Sequence, residues 1–427
     1  MQRFFPGWIV VAGCFALLCV GSGFAFYAQG VFLDALVDEQ GFSVGLAGAG
    51  TGVFFVVSGI SGYFAGGLIG RFDVRAVMLV GATVASLGIY LLGEVRTEPQ
   101  MFGVFVIYGG GYALVGLVPT SSVVTRWFHA KRSIALAFAS TGLSVGGIAI
   151  TPVIARLIAD RSLVELAPRL ALTFWLTVVF FVIVLVRPSP EAAGWKPDGG
   201  RLESPDHPEG VGNSQHQAHG AVPRAATETP GVAYADAVRT PYFRLLSVAF
   251  VLVMTSQVGA LQHLFKLTAD DFGKESAANA LIVVSATSVV ARIIGGIVAS
   301  RVRLVPLCAT LILVQALGVT VIATAPSYQV LLLGVVILGA SIGNLLMLHP
   351  LLLADTFGVR DYPRIYGLGS LIMIVGTGFG PFIVGVLRDA TSYSTAFYTM
   401  AVVATMGFAM LVLSGRFQAS ATPSVAR

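Results

Sequence analysis

Twelve long apolar runs dominate this sequence, and each is long enough to cross a lipid bilayer as a helix. The runs lie near residues 8–34, 43–69, 76–94, 101–125, 133–159, 170–187, 242–266, 277–299, 305–324, 329–354, 365–387 and 395–415. About 20 apolar residues at ~1.5 Å per residue cross the ~30 Å hydrocarbon core of a bilayer. Because a helix satisfies its backbone hydrogen bonds locally, the pattern predicts an all-α membrane protein with twelve transmembrane helices.

The composition agrees with a membrane protein. Soluble domains carry about 25% charged residues, whereas this chain of 427 residues carries 11% and is 56% hydrophobic. The net charge of +5 does not indicate nucleic acid as a partner, because the basic residues are scattered over short connections. The three cysteines lie inside apolar runs, so we expect no metal and no cofactor. An enzyme or receptor is the weaker alternative, since the runs contain no recognisable catalytic constellation.

Lysine and arginine are distributed unevenly between the two sides that the runs define. The side of the N-terminus receives most of them, among them Arg3, Arg71, Arg75, Arg126, Arg301 and Arg303. The other side receives only Arg96, Arg161, Arg169, Lys266, Lys274 and Arg388. Because basic loops are retained in the cytoplasm, we predict a plasma (inner) membrane protein with both termini cytoplasmic. The first apolar run exceeds the ~7–15 residues of a signal peptide, so we predict that it is a retained span.

The composition changes abruptly in the middle of the chain. Residues 188–241 are rich in proline, glycine, serine and charge, which is typical of a flexible linker. The linker is predicted to be cytoplasmic and to join an N-terminal six-helix half, 1–187, to a C-terminal six-helix half, 242–427. Its three histidines show no metal-ligand pattern.

The two halves share sequence features at corresponding places. GGLIGRFDVR follows the second run and GGIVASRVR follows the eighth, and both place a glycine pair about one turn before a short basic loop. Such matching elements are typical of pseudo-symmetric transporters, which bind their substrate near the middle of the membrane between the halves. The pattern therefore predicts a transporter of this kind.

One cation, Arg292, lies well inside the eighth run. A guanidinium stays charged, so it needs partners or water at that depth. On a helix, Ser285 and Ser288 precede Arg292 by seven and four residues and share its face. Gly295 and Gly296 lie on the same face, which is therefore small and polar, as expected for a helix that turns a charge toward an anion in a cavity. The alternative is a structural arginine that reaches the interface only about 10 Å away.

Four further polar residues lie in or near the apolar runs. Tyr27 lies in a glycine-broken part of the first run, and Tyr112 lies in the fourth. Both hydroxyls are candidates for substrate binding, although tyrosines also occupy membrane interfaces. Asn344 is a third candidate, with helix-helix bonding as its alternative. His263, near the end of the seventh run, is a candidate for proton coupling because imidazole titrates near pH ~6.5, or else an interfacial residue.

The motifs PGWIVVAG, FYAQGVFLDAL, RWFHAKRSIALAFASTG, QHLFKLTADDFG, ARIIGG and DTFGVRDYPRIYG, followed by GPFIVGVLRDAT, resemble the major facilitator superfamily. The narrower resemblance is to its monocarboxylate transporter branch and the related oxalate and formate exchangers, over nearly the whole chain except the linker. The resemblance implies two pseudo-symmetric halves and a span-eight arginine, here Arg292, that holds the substrate carboxylate. It also implies that Arg71, Arg75 and Arg301 lie in paired gating loops.

The sequence departs from this family at two places that bear on the substrate, and also in the loops after spans two and eight, where Gly70 and Ser300 replace the usual acids. Some members carry an aspartate one turn before the span-eight arginine, where this chain has Ser288. The oxalate exchanger has a lysine in span eleven, whereas residues 365–387 contain no lysine or arginine. A single intramembrane cation favours a monocarboxylate over a dicarboxylate. We therefore predict a monomeric secondary transporter of lactate-like or pyruvate-like acids that also carries a proton, with an exchanger or exporter of another small organic anion as the alternative.

Overall fold

The computed structural model describes residues 5–69, 71–128, 131–191, 194–199, 231–358 and 360–421. In this part of the chain, twelve helices are long and apolar enough to cross a membrane. We number them α1 (Gly7–Gln40), α2 (Val44–Ile69), α3 (Val74–Leu92), α4 (Glu98–Trp127), α5 (Ile134–Asp160), α6 (Leu163–Val184), α7 (Pro241–Phe272), α8 (Lys274–Ala299), α9 (Leu304–Ala323), α10 (Tyr328–Phe357), α11 (Arg364–Ala390) and α12 (Tyr393–Gly415). The prediction of an all-α membrane protein with twelve spans is confirmed.

Helix α1 is interrupted by one π-helical turn, Ser22–Phe26. Such a turn disturbs the regular backbone ladder, and in a membrane the freed groups need partners from neighbouring helices. Tyr108 of α4 donates its hydroxyl to the carbonyl of Phe24 at 2.7 Å. Thr151 of α5 donates to the carbonyl of Gly23 at 2.8 Å. Two neighbouring helices therefore stabilise the interruption.

The first six helices meet the last six along three closely packed pairs, α1 with α7, α2 with α11 and α5 with α8. Glycines allow the close approach. A Cβ on Gly30 of α1 would lie 2.6 Å from the carbonyl oxygen of Gln262 on α7. A Cβ on Gly48 of α2 would lie 2.5 Å from the carbonyl oxygen of Pro381 on α11. The helices can therefore pack backbone against backbone, as small residues permit in lipid.

A substitution in α2 tests this packing. A Cβ on Gly52 would overlap the backbone carbonyl of Gly378 on α11. Because a backbone carbonyl cannot swing aside as a flexible side chain does, we expect Gly52→Ala to disfavour the described conformation by about 1–3 kcal/mol, or roughly 5- to 150-fold in population. The distance between spin labels on the first six and the last six helices, at the end of the bundle at which α2 begins, measures the effect. Gly66→Ala on the same helix, where a Cβ meets nothing within 4 Å, is the control, and an equal effect there would contradict the prediction.

The predicted linker, 188–241, is described only in part. Residues 200–230, with the three histidines, lie outside the described residues. The end of the segment forms a short helix, Tyr234–Ala237, before α7 begins. The backbone N–H of Val232 donates to the carbonyl of Phe357 at 2.8 Å, and that of Tyr234 donates to Asp361 at 2.8 Å. This end of the segment therefore packs against the chain between α10 and α11.

Candidate functional site

A cavity of about 1110 Å³ lies between the first six and the last six helices. Its walls come from α2, α4 and α5 on one side and from α8, α10 and α11 on the other. The lining reaches Tyr63, which is 70% exposed, and Ser300, which follows the last residue of α8. Because these residues lie near the end of the bundle at which α1 begins, the cavity is open there. We call this the open end, and the opposite end the sealed end.

Arg292 points a half-buried guanidinium into this cavity from α8. The hydroxyl of Tyr27, which follows the π-helical turn of α1, lies close to Arg292, Ser144 and Ser285. We call these four residues the polar floor: Tyr27 from α1, Ser144 from α5, and Ser285 and Arg292 from α8. The hydroxyls of Ser144 and Ser285 face that of Tyr27, and the buried Nε of Arg292 has no hydrogen-bond partner among the described residues. The floor therefore offers one full positive charge to a ligand, beside a cluster of three hydroxyls.

Tyr112 extends the floor toward α4. Its ring lines the cavity and stacks on Phe54, with the ring centroids 5.6 Å apart. Tyr112 also lies close enough to Tyr27 for their phenols to interact. Gly147 of α5 permits this crowding, since a Cβ there would overlap the Oγ of Ser285 and lie 2.9 Å from the Tyr27 ring. Three of the predicted site residues, Arg292, Tyr27 and Tyr112, are thus brought together.

Ser288 and Asn344 lie outside the cavity lining. Ser288 is fully buried against α10, where a Cβ on Gly343 would lie 2.9 Å from its Oγ. Asn344 donates its side-chain amide to the carbonyls of Ala291 and Ala340, both at 3.0 Å. Its amide therefore joins α10 to α8, which corresponds to the helix-bonding alternative.

His263 lies near the sealed end, away from the cavity. Its Nε2 is 2.8 Å from the carbonyl oxygen of Pro381 on α11, and its Nδ1 is 3.5 Å from the hydroxyl of Tyr393 on α12. A carbonyl can only accept, so Nε2 carries a proton. The imidazole is fully buried and ties α7 to both neighbouring helices.

Charged residues from both sets of helices close the sealed end. Lys266 of α7 lies 2.6 Å from Asp38, 2.7 Å from Asp270 and 3.3 Å from Asp34. Lys274 of α8 lies 3.3 Å from Asp38 and 3.5 Å from Asp34. The side chains of Lys266 and Asp34 are only 6% and 1% exposed. Because water screens buried charges weakly, these pairs hold α1 of the first set against α7 and α8 of the second.

A second group of contacts extends this closure to α2 and α11. Asp389 of α11 accepts a hydrogen bond from the backbone N–H of Gly45, at the start of α2, at 2.6 Å. Arg388 lies 3.5 Å from Asp389 and 3.9 Å from Asp270. We call the residues Asp34, Asp38, Lys266, Asp270, Lys274, Arg388 and Asp389 the sealed-end network.

Comparison with known proteins agrees with this arrangement. The family model described as Major Facilitator Superfamily matches residues 15–345. The chain belongs to this superfamily. It is a multi-pass integral membrane transporter rather than an enzyme. A bacterial homologue of the human lysosomal transporter Spinster, solved in an inward-facing and unoccupied conformation, shares the fold with a TM-score of 0.70 at 14% identity, over 99% of this chain and 100% of that one.

Two of the relatives that match in sequence are named for carboxylates. Monocarboxylate transporter 4 of Mus musculus is 32% identical over 148 residues, which cover 34% of this chain and 31% of the relative. The oxalate:formate antiporter of Oxalobacter formigenes is 20% identical over 186 residues, which cover 44% of each chain. The matched segments therefore span less than half of either relative. Both names agree with the branch of the superfamily that the sequence motifs indicate.

The three arginines predicted in gating loops all lie at the open end of this transporter. Arg71 and Arg301 are exposed, directly after α2 and α8. Arg75 is half-buried in the first turn of α3, where its backbone N–H donates to Asp73 at 2.8 Å. In the described conformation the two sets of helices are apart at the open end, so these loops do not close it.

Sequence reasoning missed the sealed-end network and the role of Ser144 in the polar floor. Lys266, Lys274 and Arg388 were counted only as indicators of orientation. One signal was available, since Lys266 and Asp270 lie four residues apart and share a helix face, as Asp34 and Asp38 do. Ser144 gave no signal, because a lone serine in an apolar run is common.

Proposed function

We propose that this transporter moves small monocarboxylates of the lactate or pyruvate type across the plasma membrane, together with a proton, by alternating access. The observation that carries the proposal is Arg292, whose Nε has no partner in the described part of the chain, at the polar floor of a cavity between the two sets of helices. A guanidinium binds a carboxylate through paired, charge-assisted hydrogen bonds. Arg292 is the single charged residue that lines the described cavity, which suits a ligand with one carboxylate.

Alternating access follows from the two ends of the bundle. The described conformation is sealed at one end by the network and open at the other, which we propose is the cytoplasmic end. In the proposed cycle, residues 1–187 and 242–427 rock as two halves about Arg292, and the linker, 188–241, joins them. A carboxylate bound to Arg292 and a co-transported proton reduce the net charge of the loaded carrier. The loaded carrier then reorients more readily than the half-loaded one, and this difference couples the two fluxes.

The remaining predicted residues take roles within this cycle. His263 is the candidate for proton coupling, because it lies against Gly48 of α2 in the other half and opening of the sealed end would expose it to water. Arg71, Arg75 and Arg301 are candidates for closing the open end when the halves rock. Each copy of the chain holds a whole cavity between its own helices, which supports a transporter that works as a monomer.

A second candidate function is exchange of small organic anions without a proton. The described cavity lining contains no aspartate, glutamate or histidine that could take up a proton beside the substrate, and one relative is named as an oxalate:formate antiporter. In that case the carrier reorients back with a second anion bound, and no proton is moved.

Uptake into proteoliposomes separates these candidates. Labelled lactate is supplied with and without an inward proton gradient, and separately as counterflow against unlabelled lactate at equal pH. Gradient-driven accumulation is the result expected for symport. Counterflow that ignores the gradient would instead support exchange. If lactate and pyruvate are carried in neither assay by folded protein, the monocarboxylate proposal is wrong.

A further inference from the structure

A second cavity, of about 940 Å³, lies at the open end beside the cavity described above. Its walls are the last turns of α8, α10 and α12 and the first turn of α9, all from the second set of helices. Gly296, Ser300 and Met347 line both cavities, so α8 and α10 separate the two. A Cβ on Gly415 would lie 3.2 Å from Cγ1 of Val305, which shows that the ends of α9 and α12 meet here. We call this second cavity the α9–α12 groove.

The lining of the α9–α12 groove is mostly apolar and continues into the depth of the membrane. Val302, Leu351 and Val412 line it, and each of these residues is more than a third exposed. Leu351 lies six residues before the end of α10 at Phe357, or about 9 Å along the helix at ~1.5 Å per residue. The groove therefore offers an apolar surface at the level of the lipid acyl chains.

Two arginines line the α9–α12 groove where the helices end. Arg303 directly precedes α9 and Arg416 directly follows α12, so both lie at the level expected for lipid headgroups. Both are exposed, and neither guanidinium has a hydrogen bond or an ion pair with a described residue. Asp355 is the single acidic residue in the described lining, and its carboxylate accepts a hydrogen bond from the amide of Gln418 at 3.2 Å. The groove therefore carries a net positive charge and two unpaired guanidinium groups.

We propose that the α9–α12 groove binds an anionic phospholipid, with the phosphate held by Arg303 and Arg416 and one acyl chain on the apolar lining. Guanidinium groups bind phosphate oxygens through paired, charge-assisted hydrogen bonds. Basic pockets between transmembrane helices bind acidic lipid headgroups for this reason. The volume of about 940 Å³ is large for a small-molecule site, which leaves room for part of a chain beyond the phosphate. A soluble anion would use the two arginines but not the apolar lining. The inference does not depend on which substrate is transported.

The test compares dioleoyl phosphatidylglycerol with dioleoyl phosphatidylcholine, which has the same chains but no net charge. Native mass spectrometry of delipidated protein in detergent, titrated with each lipid, gives Kd for the first bound lipid. Each basic residue near an anionic lipid contributes a factor of about 5, so we expect the wild type to prefer phosphatidylglycerol by about 25-fold. The preference should fall about 5-fold in Arg303→Ala and in Arg416→Ala, and it should vanish in the double variant. Unchanged affinity for phosphatidylcholine shows that each variant is folded.

Arg301→Ala is the matched control, because Arg301 is an exposed arginine two residues before Arg303 that does not line the α9–α12 groove. Its preference for phosphatidylglycerol should equal that of the wild type. The inference is overturned if the wild type binds the two lipids equally, or if Arg301→Ala lowers the preference as much as Arg303→Ala does. It is also overturned if glycerol 3-phosphate, which has no acyl chain, displaces phosphatidylglycerol at a similar concentration, since the groove would then be a site for a soluble anion.

Discussion

Replacing Arg292 with alanine is expected to lower kcat/KM for monocarboxylate transport by at least about 100-fold, with a similar loss for Arg292→Lys. Charge-assisted hydrogen bonds contribute about 1.5–3 kcal/mol each, and 1.4 kcal/mol corresponds to a factor of ten. Lysine keeps the charge but loses the planar pair of donors that matches a carboxylate. Initial rates of counterflow over a range of substrate concentrations measure the effect.

Arg303→Ala is the control for this prediction, because Arg303 is an exposed arginine just beyond the end of α8 and does not line the cavity. Its transport should stay within about twofold of the wild type. A thermal unfolding curve for each variant separates loss of binding from loss of folding. Abundant uptake by folded Arg292→Ala would exclude a carboxylate clamp at this position and leave the arginine with a structural role.

The second large effect is expected from Lys266→Met in the sealed-end network. Lys266 is within 3.3 Å of three carboxylates, and its removal leaves Asp34, which is 1% exposed, without its nearest cation. Breaking a buried ion pair by removing one partner costs about 3–5 kcal/mol. This free energy destabilises only the sealed conformation, because opening of this end would expose Asp34 to water. We therefore expect the population to shift by more than about 100-fold toward conformations that are open at this end.

Double electron-electron resonance can measure this shift. Glu98 in the first turn of α4 and Glu275 in the first turn of α8 are exposed at the sealed end, on opposite sets of helices, and suit spin labels. The distance between them should increase in Lys266→Met. Lys274→Met is the graded control, because its side chain is 34% exposed and partly solvated pairs contribute about 1 kcal/mol or less. An unchanged distance in Lys266→Met would show that helix packing alone seals this end.

The number and order of the helices could be predicted from the sequence, and so could the place of Arg292 inside an apolar run. Both are local properties, because a helix satisfies its own backbone in lipid and a charge inside an apolar run is visible without a partner. The predicted ends were less accurate where a helix carries charge. The seventh run was predicted to end at 266, whereas α7 continues to Phe272. The charges of Lys266 and Asp270 are typical of a loop in the sequence, but in the structure the two side chains form an ion pair on the helix.

The tertiary structure alone decided which polar residues meet. The polar floor combines Tyr27, Ser144 and Arg292 from three helices that are distant in the chain, and the sealed-end network joins α1 to α7 across 228 positions. Packing of α8 against α10 likewise places Ser288 and Asn344 in the contact between these two helices rather than in the cavity. A helical pattern defines faces, but which face meets which neighbour depends on packing between distant helices, where glycines such as Gly147 set the distance of approach.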